Sequence, residues 1–126
     1  MTESSRVQKL LGDLRGQKPV PFPQRRGTLE APTEQGVYVI RWRETVLHVG
    51  RTPRAENGLR QRLKDHLYGK SSFTKKYLAG NGARLRRKGY TYQYLVVRRC
   101  RWRALLEAYA VGMLCPKHIG LGNREH

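Results

Sequence analysis

Three side chains of this sequence have the types and spacing for phosphodiester hydrolysis: Arg62, His66 and a lone helical glutamate, Glu107. That reaction needs a base to deprotonate water and a cation to neutralise developing negative charge. It also needs a metal held by carboxylate to polarise the phosphate, and help for the leaving oxygen. Arg62 and His66 are four residues apart and so stack on one helix face. Arginine offers a fork matched to phosphate oxygens. Histidine could donate to a phosphate or to the leaving group. Each also has a plain structural reading, Arg60 and Arg62 as solvated cations and His66 as a satisfied boundary histidine.

Carboxylates are scarce. Residues 36–126 hold only Glu44, Glu56, Asp65, Glu107 and Glu125. A two-metal site needs several converging carboxylates, so a one-metal scheme fits better. Glu44 falls in the predicted hairpin turn, Glu56 just before a helix, Asp65 on an exposed helix face and Glu125 near the end. Glu107 differs, because Ala110, Val111 and Leu114 follow at i+3, i+4 and i+7. A carboxylate there is partly desolvated, which favours pairing with a metal or a cation. A metal ligand and a structural ion pair with Arg103 at i−4 both satisfy that requirement.

The elements that must position these groups follow from periodicity and turn chemistry. Residues 5–15 predict a short helix. Residues 16–35 hold four of the six prolines and predict an extended arm rather than core. GVYVIRW and TVLHVG are β-forming runs separated by Arg43-Glu44, which predicts a hairpin. Tyr38 and His48 share a sheet face only if that hairpin has an odd-length loop or a bulge. A three-residue turn pairing Trp42 with Val46 and Ile40 with His48 would satisfy this. Leu59, Leu63 and Leu67 make an apolar stripe on a helix over 57–68, with Asn57 as N-cap and Gly69 as terminator. A short helix over 73–79, a basic segment over 83–89 and a third strand over 91–97 follow. The longest helix is predicted over 101–115 and is stopped by Pro116. The expected fold class is α+β, a small three-stranded, mostly antiparallel sheet flanked by helices. The expected organisation is an N-terminal extension over 1–35 and one domain over 36–126.

The chain has 126 residues and a net charge of +17. Residues 1–35 carry a net of +2 and residues 36–126 a net of +15, so the positive field belongs to the domain. Nucleic acid is the leading partner of such a field. No basic amphipathic helix with a large apolar face marks a membrane surface. The first 16 residues do not read as a signal peptide, so a cytoplasmic, DNA-associated location is expected. Cys100 and Cys115 form no Cys-x-x-Cys pair and read as reduced thiols.

The tripeptides Gly36-Val37-Tyr38 and His48-Val49-Gly50, followed in order by Arg62, His66 and Glu107, resemble the GIY-YIG nucleases. The resemblance covers roughly residues 36–123. In that family the second tripeptide precedes a helix with Arg and, four residues on, often His or Tyr. A later helix carries one metal-binding Glu, commonly with Pro nine residues beyond, as Glu107 and Pro116 stand here. Arg51 matches a position that is often Lys. There are two departures. His48 stands where the family usually has Tyr, and Ile119 where it frequently has Asn, a role that Asn123 could take over.

The resemblance implies a metal-dependent DNA endonuclease with Mg²⁺, or Mn²⁺, on Glu107, acting in repair, restriction or homing. Water would be activated by Tyr38 or His48. A free imidazole, with a pKa near ~6.5, would suit that task better than a phenol near ~10. Arg62 would bind a non-bridging oxygen and His66 would orient the phosphate or assist departure, with Arg51, Arg60, Lys64 and Asn123 holding the strand. Tyr90, Tyr92 and Tyr94 share one strand face, which is core or a stacking surface. No large recognition domain is evident, so specificity is expected from residues 1–35, basic loops, a homodimer or a protein partner. The competing expectation is a nucleic-acid-binding module of the same fold with a lapsed site. A basic RNA-processing or ribosome-associated factor is a third.

Overall fold

The computed structural model describes residues 2–25, 27–53 and 57–120. Helix α1 (Glu3–Arg15) is capped by Thr2 and leads to a two-residue strand, β1 (Val20–Pro21). The hairpin β2 (Gly36–Trp42) and β3 (Thr45–Arg51) follows, then α2 (Gly58–Leu67), α3 (Ser72–Lys76) and a 3₁₀ turn at Gly82–Arg86. Strand β4 (Tyr90–Val96) and helix α4 (Cys100–Leu114) complete the described fold. The sheet is antiparallel with strand order β1-β4-β2-β3. The α+β expectation holds, with four strands rather than three. The extra strand is two residues long and lies among prolines, so it has no alternation to read.

The hairpin reaches the expected pairing by another route. Its turn has two residues, with Trp42 opposite Thr45 and Arg41 opposite Val46, and then Leu47 is inserted so that Ile40 lies opposite His48. The bulge supplies the odd residue that the expected three-residue turn would have supplied. Tyr38 and His48 therefore project from the same face of the sheet.

Two apolar layers sandwich the sheet. One face carries Tyr38, Ile40, Leu47 and Tyr92 against Leu59, Leu63 and Leu67 of α2 and Phe73 of α3. The other carries Val37, Val39, Val46 and Val49 against Leu106 and Ala110 of α4 and Leu11 and Leu14 of α1. The segment expected as an extended arm supplies Phe22, Leu29 and Ala31 to the first layer. Helix α1 is fastened to α4 by a two-pronged Arg101–Glu3 pair at 2.8 and 2.9 Å and by Arg6 over the Trp102 ring. Tyr90 and Tyr92 are buried, so the tyrosine stripe of β4 is core and not a stacking surface.

Two glycines of the hairpin are required by close approach. A Cβ on Gly36 would meet the Leu95 carbonyl, and one on Gly50 would meet the Tyr38 hydroxyl. The first admits β4, and the second admits the phenol of the first tripeptide over the backbone of the second. The described residues contain no helix long and apolar enough to cross a membrane.

Candidate active site

Tyr38 of β2, His48 of β3, Arg62 of α2 and Glu107 of α4 line one cleft of about 270 Å³. The sheet presents the first two, α2 lies on their face, and α4 contributes its carboxylate at the β3 margin. Arg51 reaches back so that its Nε lies 3.4 Å from Glu107 Oε1. Arg51 and Arg62 also line a neighbouring cleft of about 460 Å³ that continues toward Pro53 and Arg103.

His66 is placed differently from expectation. It is fully buried behind Tyr38 and does not line the cleft, so it cannot reach a phosphate. Its Nε2 lies 2.5 Å from the Tyr38 hydroxyl and its Nδ1 2.6 Å from Ser71 Oγ. The surrounding bonds fix its tautomer. The Thr74 hydroxyl donates to the His66 carbonyl at 2.5 Å, so Thr74 Oγ1 can only accept from Ser71, at 3.1 Å. Ser71 has then spent its one hydrogen and must accept from His66 Nδ1–H. Burial, followed by the nearby His48 and Arg62, holds the imidazole well below its ordinary pKa, so it is neutral. A neutral ring protonated at Nδ1 has a bare Nε2. The Tyr38 O–H therefore donates to His66, and its oxygen accepts from the cleft side, where the Arg62 guanidinium is hydrogen-bonded to it.

Burial raises the Tyr38 phenol well above its usual value, partly offset by the adjacent Arg62 guanidinium. His48 also departs from expectation. Burial, then the neighbouring His118 and Arg62, push its pKa down to about 3. Its Nε2 is enclosed with no hydrogen-bond partner among the described residues. A weakly basic, enclosed imidazole is not the general base that its free pKa suggests. It stacks on Phe73 at 4.8 Å, and its Nδ1 lies 3.2 Å from His118 Nδ1.

Arg62 Nε is buried and has no hydrogen-bond partner among the described residues. An unmatched buried guanidinium nitrogen at a cleft wall suits an anionic ligand. Glu107 is half-buried, and desolvation raises its pKa against the opposing pull of Arg51 and Arg62. Its partner is Arg51 rather than Arg103. Arg103 is itself buried, donating to the carbonyls of Thr52, Pro53, Val97 and Arg98 at 2.7–3.1 Å. Among the described residues no three His, Cys, Asp or Glu side chains cluster as a metal cage. One carboxylate oxygen in an open cleft fits a hard cation that keeps most of its water.

Other expected contacts lie elsewhere. Arg60 is bound through Nε to the Ala31 carbonyl at 2.9 Å and holds the N-terminal loop. Lys64 lies outside both clefts. Asn123 lies outside the described residues, and Ile119 lines the cleft where Asn was considered. The sequence reading missed Ser71, Thr74 and His118. Ser71 does carry a signal, as an N-cap whose Oγ accepts from Thr74 N at 3.1 Å. His118 sits in a glycine-rich tail with no periodicity. It is held because its N–H and that of Lys117 donate to the carbonyls of Leu47 and Val46.

No family model matches the sequence, and no curated protein matches it. Solved structures do match. The GIY-YIG N-terminal endonuclease domain of UvrC from Thermotoga maritima, bound to its catalytic magnesium, is 21% identical with a TM-score of 0.52. The match covers 93% of this chain and 97% of that one. The chain has the GIY-YIG endonuclease-domain fold. A tyrosine-to-phenylalanine variant of the same domain, bound to its catalytic divalent cation, matches equally at 21% identity and TM-score 0.52, over 93% and 96% of the two chains. In this fold Tyr38 and Gly50 meet across the β2–β3 hairpin, and α2 and α4 place Arg62 and Glu107 at the same cleft.

Proposed function

We propose that this chain is a metal-dependent endonuclease that hydrolyses phosphodiester bonds in DNA. The observation that carries the proposal is the polarity of Tyr38, whose proton points to His66 while its oxygen faces the cleft of Arg62 and Glu107 with one lone pair beyond the Arg62 contact. The solved GIY-YIG domains, which bind a catalytic divalent cation, support the same reading. Water placed against Tyr38 Oη gives up a proton to that oxygen as the Tyr38 proton passes to His66 Nε2. No free phenolate forms; the charge arises instead on His66, whose basicity is lowered by burial and by Arg62 and is partly restored when the phosphate pairs with that guanidinium. The attacking oxygen bonds to phosphorus, and the leaving oxygen departs to take a proton from solvent. Arg62 binds a non-bridging oxygen with the nitrogen that is otherwise unmatched. Glu107 would hold Mg²⁺ or Mn²⁺, which when bound polarises the phosphate. Arg51 keeps the Glu107 carboxylate charged against its desolvation.

Supercoiled and branched DNA incubated with Mg²⁺ or Mn²⁺ tests the reading. The wild-type protein is expected to cut, and Glu107→Gln to lose on the order of 100-fold or more. Equal cutting by both would overturn the assignment. The second reading, a nucleic-acid-binding module that does not cut, is favoured by the enclosed, weakly basic His48. Tight binding by a wild type that never cuts would select it.

A further inference from the structure

A further concavity, of about 230 Å³, lies at the turn end of the sheet and is lined by Trp42, Leu47, Tyr77, Arg84, Arg87 and Tyr90. Three features distinguish it from ordinary surface. Its free aromatic face is Tyr77, 40% exposed at the mouth, above a floor where the Trp42 ring packs on buried Tyr90 at 4.7 Å. It is ringed by cations. Arg43 lies over Trp42 and Arg84 over Tyr90, both arginines and Arg87 are exposed, and no ion pair engages any of the three among the described residues. No carboxylate lines it.

The third feature is a physical link to the cleft. Tyr77 stacks on Phe73 at 5.6 Å and 13°, and Phe73 stacks on His48 at 4.8 Å and 17°. His48 lines the cleft that holds Tyr38, Arg62 and Glu107. Two ring steps thus separate the concavity from the site. That interval corresponds to about three stacked nucleotides at ~3.4 Å each, or fewer in an extended strand.

We propose that this concavity is a base-binding subsite that takes an unpaired nucleotide two to three positions from the cut phosphate. The preferred substrate class is then DNA with single-stranded character on that side. Every base presents a π-face to an aromatic wall, while the guanidinium ring neutralises the flanking phosphates. A paired base keeps its face inside the duplex and cannot enter. The proposal rests on the DNA-cleavage reading and adds to it where the strand runs and in what form.

The test measures binding in the non-cutting Glu107→Gln background. Fluorescence anisotropy compares a blunt duplex with a duplex carrying a single-stranded overhang. Tyr77→Ala is expected to weaken the overhang substrate about 10-fold or more, because one stacked base is lost, and to leave the blunt duplex within about two-fold. Tyr77→Trp keeps a ring and is expected to keep the preference. A 2-aminopurine placed two or three nucleotides from the cut site should be quenched by the protein carrying Tyr77 and not by Tyr77→Ala. Equal losses on both DNAs, or none, would overturn the subsite while leaving cleavage intact. Failure of the Tyr77-containing protein to bind either DNA would remove the DNA-cleavage reading as well. Displacement of the overhang by an acidic peptide, with Tyr77→Ala affecting the peptide alone, would assign the surface to a protein partner and sink the subsite.

Discussion

Ser71→Ala separates the proton arrangement around Tyr38 from mere proximity of the same groups. Ser71 Oγ accepts from His66 Nδ1 at 2.6 Å and from Thr74 N at 3.1 Å, and donates to Thr74 Oγ1 at 3.1 Å. Alanine strands the buried imidazole N–H, at about 1–3 kcal/mol. It also removes the N-cap of α3, at about 0.5–2 kcal/mol. The expected loss of stability is about 2–5 kcal/mol, read as a lower urea midpoint. A second consequence is specific to the mechanism. With no acceptor at Nδ1, the ring gains by moving its proton to Nε2, where Tyr38 Oη can accept it. The Tyr38–His66 bond then runs backwards, and Tyr38 has nowhere to send its proton. Single-turnover cleavage should fall on the order of 100-fold, at the low end of what a positioned base contributes. Ser71→Thr keeps the hydroxyl and should recover most of that loss. Ring ¹⁵N shifts of His66 report the tautomer whether or not DNA is cut. If Ser71→Ala folds, keeps the Nδ1–H tautomer or cleaves within two-fold of wild type, the relay argument is wrong.

Other outcomes follow from the same geometry. The His48 pKa falls to about 3 on folding, so its contribution is complete above pH ~6.5 and is lost as pH drops. By pH 5 that loss is about 2 kcal/mol. Urea unfolding at pH 7.5 and pH 5 should therefore show a pH difference smaller by that amount in His48→Gln. Gly50→Ala puts a methyl against the Tyr38 hydroxyl; it should cost about 1–3 kcal/mol and move the phenol off His66, with cleavage falling alongside the melting temperature. Arg103→Leu removes a buried guanidinium from four loop carbonyls and is expected to cost about 3 kcal/mol or more in urea, whereas Arg101→Ala on the surface should cost under about 1 kcal/mol.

The elements that carry the site were legible because their signals are local. Leu59, Leu63 and Leu67 repeat at helical spacing, and all three are buried. The hairpin face shared by Tyr38 and His48 followed from counting residues, and the bulge after Ile40 supplied the needed parity. Depth was not legible. Periodicity placed His66 at the edge of an apolar stripe, but only the packing of Ser71, Thr74 and Tyr38 around it makes it a buried acceptor. The free pKa of histidine suggested a base at position 48, and Phe73, which stacks on it from 25 residues downstream, helps bury it and so overrides that value. The partner of Glu107 was sought on its own helix at Arg103. It came instead from β3, because four carbonyls, two of the distant loop at Thr52–Pro53 and two just ahead of α4, had already claimed Arg103.

The clasp between α1 and α4 bears on how the chain is made. Glu3 meets Arg101, and Leu11 and Leu14 share a layer with Leu106 and Ala110. A ribosome adding about 5–20 residues per second needs roughly 5–20 s to pass from the end of α1 to the start of α4. Throughout that interval the leucines of the first helix have at most the sheet valines to cover them, without Leu106 and Ala110 of α4. The fold closes only when its last helix emerges, so nascent chains stalled before Cys100 should be the form that chaperones hold.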